Sequence, residues 1–156
     1  LNGNGPPLQL SVRGAPKKCR MSKRYKTGSF WLNKNNLEIV NGLRTLADRL
    51  FDKADYLSWL DLSHNNLTTI SDEFLSFPNM SMLYLHANNI EDIVEVIKMR
   101  KLSKLRILTL NKNPMCVACA HYRSIVIYMV PGLQKLDNTV VVGSERNSFK
   151  PSMINR

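Results

Sequence analysis

Leu57 to Leu67 reads LSWLDLSHNNL, with apolar residues at Leu57, Leu60, Leu62 and Leu67 and an asparagine at Asn65. The template is L-x-x-L-x-L-x-x-N-x-L. It recurs at Met80 to Ile90 (MSMLYLHANNI), through Met80, Leu83, Leu85, Asn88 and Ile90, and at Leu105 to Met115 (LRILTLNKNPM), through Leu105, Leu108, Leu110, Asn113 and Met115. A weaker copy lies upstream at Thr27 to Leu37 (TGSFWLNKNNL), with Phe30, Leu32, Asn35 and Leu37. Leu60 to Leu83 is 23 residues, and Leu83 to Leu108 is 25. A chain repeating one pattern at that interval has few ways to fold.

Leucines two apart, such as Leu60 and Leu62, share one face of a short strand and point into a common core. The residues between them face solvent. The asparagine turns the chain, and its amide can bond the backbone that the turn leaves unpaired. One such unit cannot bury its own apolar face, whereas stacked units bury a continuous core and pair their strands in parallel. This is the spacing of a leucine-rich repeat. It predicts an α/β fold: a solenoid with a parallel concave sheet and a helical or irregular convex side.

The organisation follows in order. Residues 1–26 are expected as a basic extended leader, 27–138 as the repeat domain with N- and C-terminal caps, and 139–156 as a polar tail that peels away. Asn35 to Asn65 is 30 residues, longer than one repeat. A capping helix over Asn41 to Phe51 (NGLRTLADRLF), with Leu43, Leu46, Leu50 and Phe51 on one face and Asn41 as its N-cap, explains the excess. On the convex side Ile93, Val94, Ile97 and Leu102 are expected to face the core. Tyr122 to Leu136 reads as a helix with Ile125, Val126 and Met129 inward, stopped by Pro131 and Gly132.

Net charge is +10, and it is uneven: seven bases lie between Arg13 and Lys26 with no acid among them. Lys17, Lys18, Arg20, Lys23, Arg24 and Lys26 therefore read as an anchor for acidic surfaces. Tyr25 is the leader's only aromatic, so stacking on bases has little support. No apolar run approaches the ~20 residues that span a bilayer. The chain starts at Leu1 without a methionine, which leaves its true start open. Three cysteines, Cys19, Cys116 and Cys119, without paired cap cysteines, point to a reducing intracellular site.

The repeats resemble the 22-residue, Sds22-like type shared by a phosphatase regulator, an axonemal dynein light chain and a splicing-factor subunit. The closing stretch NPMCVACAHYRSIVIYMVPGLQKLD (Asn113 to Asp137) resembles the C-terminal cap of that family, through Asn113-Pro114, Tyr122-Arg123, Val126-Ile127, Pro131 and Leu136-Asp137. SFWLNKNNL, LSWLDLSHNNLTTI, LYLHANNI and LTLNKNP are similar to a narrower group within it. That resemblance implies a small non-catalytic scaffold of ciliated or flagellated cells. Its implied partners are axonemal or other cytoskeletal proteins, with tubulin tails as one acidic candidate, and its implied location is the cytoplasm and axoneme. The family also leaves open a splicing-type or a phosphatase-regulating adaptor.

The concave face can be read from the register. One column is Trp31, Asp61, Tyr84, Thr109 and Asp137; beside it run Ser29, Trp59, Met82, Ile107 and Lys135; a third holds Asn33, Ser63, His86 and Asn111. The expected partner-binding residues are Trp31, Trp59, Asp61, Met82, Tyr84, His86, Ile107 and Thr109, because an apolar patch rich in Trp, Tyr and Met marks an interaction surface. Cys116-x-x-Cys119 with His121 lacks the four ligands of a closed zinc site, so no metal is expected. No phosphate loop and no nucleophile, base and acid are forced together, so neither catalytic residues nor a cofactor or small-molecule substrate is expected. Neither a membrane nor a nucleic acid is the expected partner.

Overall fold

The computed structural model describes residues 16–148. Arg13 and the rest of the leader before residue 16, and the tail beyond residue 148, lie outside the described residues. Each copy of the template makes one strand: β1 (Ser29–Trp31), β2 (Trp59–Asp61), β3 (Met82–Tyr84) and β4 (Ile107–Thr109). The shorter β5 (Lys135–Leu136) and β6 (Thr139–Val140) follow. They form one sheet in chain order, parallel from β1 to β5, with β6 antiparallel to β5.

The register aligns Phe30, Leu60, Leu83, Leu108 and Leu136 in one buried row. Leu32, Leu62, Leu85 and Leu110 make a second row, and Leu57, Met80, Leu105 and Leu133 a third, none more than 1% exposed. The template's apolar positions are therefore the core.

The asparagines form a ladder behind the strands. The Asn65 amide donates to the carbonyls of Leu32 and Leu62, while its Oδ1 accepts from the N–H groups of Asn35 and Leu37. Asn88 donates to Leu62 and Leu85 and accepts from Leu67; Asn113 donates to Leu85 and Leu110 and accepts from Ile90. Each buried amide thus satisfies backbone of its own turn and of the repeat before it. Asp137 is not a further rung: the register that pairs Leu108 with Leu136 sets it beside Thr109, in the column that the register reading gave it. It lies beyond β5 with φ 49, and its carboxylate accepts from Leu110 and Asn111 N–H and from the Tyr122 hydroxyl at 2.8 Å. In the earlier repeats the backbone carbonyls of Asp61, Tyr84 and Thr109 take the N–H groups of Leu32, Leu62 and Leu85; at the last one the Asp137 carboxylate takes that of Leu110, and the Tyr122 hydroxyl donates to its other oxygen.

The convex side differs from repeat to repeat. Helix α1 spans Leu43–Leu50, with the 3-10 turn Ala54–Tyr56 after it, and these account for the long first repeat. Its N-cap is not Asn41 but Gly42, at φ 76, where glycine carries no Cβ penalty. The capping oxygens come from Glu73, whose carboxylate accepts from the N–H groups of Gly42 and Arg44. Along the 3-10 segment Ile93–Lys101, the core-facing residues are Val96, Met99 and Leu102. Val94 and Ile97, expected inward, are 50% and 40% exposed. The turn repeats every three residues, not 3.6, so the inward stripe runs 93, 96, 99, 102. Helices α2 (Pro114–Ala118) and α3 (Tyr122–Met129) close the far end, with Ile125, Val126 and Met129 buried as the periodicity requires.

Both ends are more ordered than the sequence suggests. Residues 17–26 fold back as a hairpin: Lys26 N–H donates to the Lys17 carbonyl, Cys19 N–H to Arg24, and Lys23 N–H to Cys19. Tyr25 bridges to Phe51, with Tyr25 N–H on the Leu50 carbonyl and Asp52 N–H on the Tyr25 carbonyl. The leader's basic part is therefore a docked hairpin, not a free arm. At the other end β6 pairs with β5, and helix α4 (Gly143–Ser148) is tied down by the Arg123–Glu145 ion pair at 2.6 Å.

Candidate functional site

The strands put alternate side chains on the concave face, and there the rings touch in sequence. Trp31 and Trp59 have centroids 5.1 Å apart, and Trp59 and Tyr84 meet edge to face at 5.6 Å. Tyr84 leads to His86 at 6.2 Å, and His86 to His64 at 5.3 Å. This five-ring chain crosses the β1–β3 part of the sheet, with Met82 and Ile107 beside Trp59 in register. Sequence reasoning placed the rings on one face and His64 near His86, but left His64 out of the binding set; it sits in the turn after β2 at φ 54 and swings its ring onto His86.

Polar groups on the same face are largely committed. Asp61 Oδ1 accepts from the Ser63 hydroxyl at 2.6 Å and the Ser63 N–H at 2.9 Å. His86 Nδ1 and Thr109 Oγ1 lie 2.8 Å apart. Thr109 is only 2% exposed, so it positions His86 and offers little surface of its own. Burial holds the His86 imidazole below its usual range, against the pull of the Asp61 charge. Trp31, Trp59, Met82, Tyr84, His86 and Ile107 are all half-buried, so they make the floor of a trough more than a protruding patch. Within that floor the indole N–H of Trp59 has no acceptor among the described residues.

The anchor residues Lys17, Lys18, Arg20, Lys23, Arg24 and Lys26 are all exposed on the hairpin. The Lys18 ammonium stands 4.9 Å from the centre of the Tyr25 ring. In the turn, Ser22 donates to Asp52 at 2.6 Å, and this bond chiefly holds the Asp52 carboxyl below its ordinary value. Cys116 and Cys119 lie on and just after α2, and the Cys116 thiol donates to the Leu110 carbonyl at 3.2 Å. Burial pushes that thiol up, the reverse of what a metal-ligating thiolate needs. Among the described residues no three His, Cys, Asp or Glu side chains gather to hold a metal, and no helix is long and apolar enough to cross a membrane.

A family model described as leucine rich repeat matches residues 32–90. Leucine-rich repeat-containing protein 51 of Macaca mulatta is 37% identical over 144 residues, covering 87% of this chain and 74% of the relative. Cilia- and flagella-associated protein 410 of Homo sapiens is 37% identical over 117 residues, covering 71% of this chain and 45% of the relative. Among solved structures, a chain of the Drosophila melanogaster SNF/U2A' complex superposes with a TM-score of 0.66 at 18% identity, over 90% of both chains, which is a likeness of fold. With that identity carried over most of both sequences, and the repeats and the cap in their places, the chain belongs to the leucine-rich repeat-containing protein 51 family.

Proposed function

We propose that this leucine-rich-repeat interaction scaffold is a structural or adaptor subunit of the ciliary or flagellar axoneme. It grips a protein partner along the concave ring chain and anchors through the basic hairpin. The observation that carries the binding half is the run of five touching rings on an open sheet face, Trp31 to His64. Aromatic side chains offer large contact area at low entropic cost. The ciliary assignment draws on the relative named cilia- and flagella-associated protein 410. A helix or extended segment lying across the strands suits the trough.

The test is a pull-down from ciliated cells with the wild type and a Trp59→Asp, Tyr84→Asp double variant, read by mass spectrometry beside a melting curve. Axonemal proteins should come down with the wild type and be lost with the folded variant. Identical protein lists would remove the concave face from the reading. A spliceosomal list, or a co-purifying phosphatase, would replace the axonemal role with an RNA-processing or phosphatase-regulating one.

A further inference from the structure

A cleft of about 490 Å³ opens where the leader hairpin meets the first repeat, lined by Lys26, Thr27, Gly28, Asp52, Lys53 and Tyr56. It shares no residue with the concave trough, and no motif in the sequence marks it. Lys26 and Lys53 are both exposed. Lys53 is held in place: its ammonium lies 5.0 Å from the centre of the Tyr56 ring and donates to the Tyr56 hydroxyl at 3.3 Å. The Lys26 backbone pairs with Lys17 across the hairpin, which sets its side chain at the mouth of the cleft. The one acid lining the cleft, Asp52, accepts the Ser22 hydroxyl and keeps a charge that Lys26 and Lys53 both favour, so the cleft holds two cations against one anion and keeps a positive excess. Asp55, nearby in sequence, is paired with Arg44 at 2.6 Å.

We propose that this cleft seats the carboxylate side chains of an acidic peptide on the partner, with Lys26 and Lys53 as the receiving cations and the exposed Tyr56 ring as one wall. The inference rests on the anchoring half of the proposed function and names its ligand class and its seat. Residues 1–15 and 149–156 contain no Asp or Glu, so neither stretch carries the carboxylates that the cleft would take. The continuous basic surface of Lys17, Lys18, Lys23 and Arg24 then extends the attraction beyond the cleft. A peptide fits better than a nucleic acid. Tyr25 is half-buried and carries the Lys18 ammonium 4.9 Å from its ring centre, so the hairpin's one aromatic offers little face for base stacking. The Lys53 ammonium is already ordered before an acidic side chain arrives, which lowers the entropic cost of binding.

The experiment is fluorescence anisotropy on the full chain with a labelled decapeptide of alternating glutamate and glycine. The same peptide with glutamine, and a ten-nucleotide oligouridylate, serve as comparisons at 0.15 M salt. Wild type should bind the glutamate peptide in preference to the other two. Lys26→Gln, Lys53→Gln should weaken it about tenfold or more, while Lys101→Gln, Lys104→Gln, which removes the same charge far along the chain, should change it by less than about twofold. Tyr56→Ala should weaken it with no charge lost. Equal losses from both lysine pairs would overturn the cleft in favour of diffuse attraction. Loss from Lys18→Gln, Arg24→Gln but not from the cleft pair would leave the anchor standing and remove the cleft. Absence of glutamate-peptide binding by the wild type would remove both. Tighter oligouridylate binding, lost with the cleft pair, would make this a nucleic-acid face.

Discussion

The concave and convex sides of this solenoid are built from the same repeats, yet only one of them repeats in detail. On the concave side four three-residue strands stay in register, and each central residue is a buried leucine or phenylalanine. On the convex side the same interval is spanned by an α-helix, a five-residue 3-10 turn and a nine-residue 3-10 segment in turn. Strand pairing is intolerant because one residue of slip turns a leucine to solvent. The return path has only to fill volume and satisfy its own backbone. Glutamates do part of that work: Glu73 caps α1, and Glu95 accepts from the Ile70 N–H at 2.8 Å while holding Lys98 at 2.8 Å.

The comparison can be broken first at the core. Leu83→Ala on the concave strand should destabilise by ~2–5 kcal/mol in urea unfolding, and Met99→Ala on the convex segment by a similar amount. Ile97→Ala, a neighbour on the same segment, should cost under about 0.5 kcal/mol. If Ile97 and Met99 cost the same, the period of three is wrong.

The next effect is polar. Asn88→Ala removes the amide that serves two repeats and leaves buried backbone groups unpaired, so a loss of about 1–3 kcal/mol is expected. Glu73→Ala on the convex side should cost less, about 1 kcal/mol, as the loss of a cap usually does.

The smallest effect is in pH dependence, and the two sides should respond in different windows. His86 has a folded pKa below its ordinary 6.5 because burial disfavours its charge. The unfolded chain then takes up the proton first, so stability should decline as pH falls below about 6.5, and His86→Gln should flatten that limb. Burial pushes the Glu95 carboxyl up, but hydrogen bonds from Lys98 and the Ile70 N–H outweigh it and leave the group below its ordinary 4.5. Its contribution is present above that value and is lost as pH falls through the folded pKa, an effect that Glu95→Gln should remove. Thermal melts between pH 8 and 3 read both.

How much of this was legible in the sequence follows the same division. Leu60 and Leu62, two apart before an asparagine, were enough to place strand, core and turn, and the concave columns followed by counting. Asp137 kept its column, but its capping role was hidden: its side chain takes the Leu110 N–H, a place that a strand carbonyl fills in the earlier repeats. On the convex side, Val94 and Ile97 were misplaced because an apolar run does not announce whether its turn closes after three residues or after nearly four. Glu73 as the cap of α1 was invisible, since it lies some thirty residues away and satisfies no local pattern. The leader's docking was equally hidden: it depends on Tyr25 pairing with Phe51 through backbone groups that every residue has. The cleft that this docking creates could be seen only once the hairpin was in place.

The asparagine ladder points one way. Asn65, Asn88 and Asn113 each reach back to the turn that precedes them, and the Asp137 carboxylate reaches back to the end of β4 at Leu110 and Asn111. During synthesis the earlier repeat emerges from the ribosome first, and its turn keeps open backbone groups until the next asparagine arrives. Each unit is thus completed by its successor, and the nascent solenoid grows like a polymer with one living end. The aspartate–tyrosine pair is the reaction that terminates it: a repeat grafted after Leu136 would have to replace both residues, whereas one inserted between Asn65 and Asn88 would find the same connection on either side.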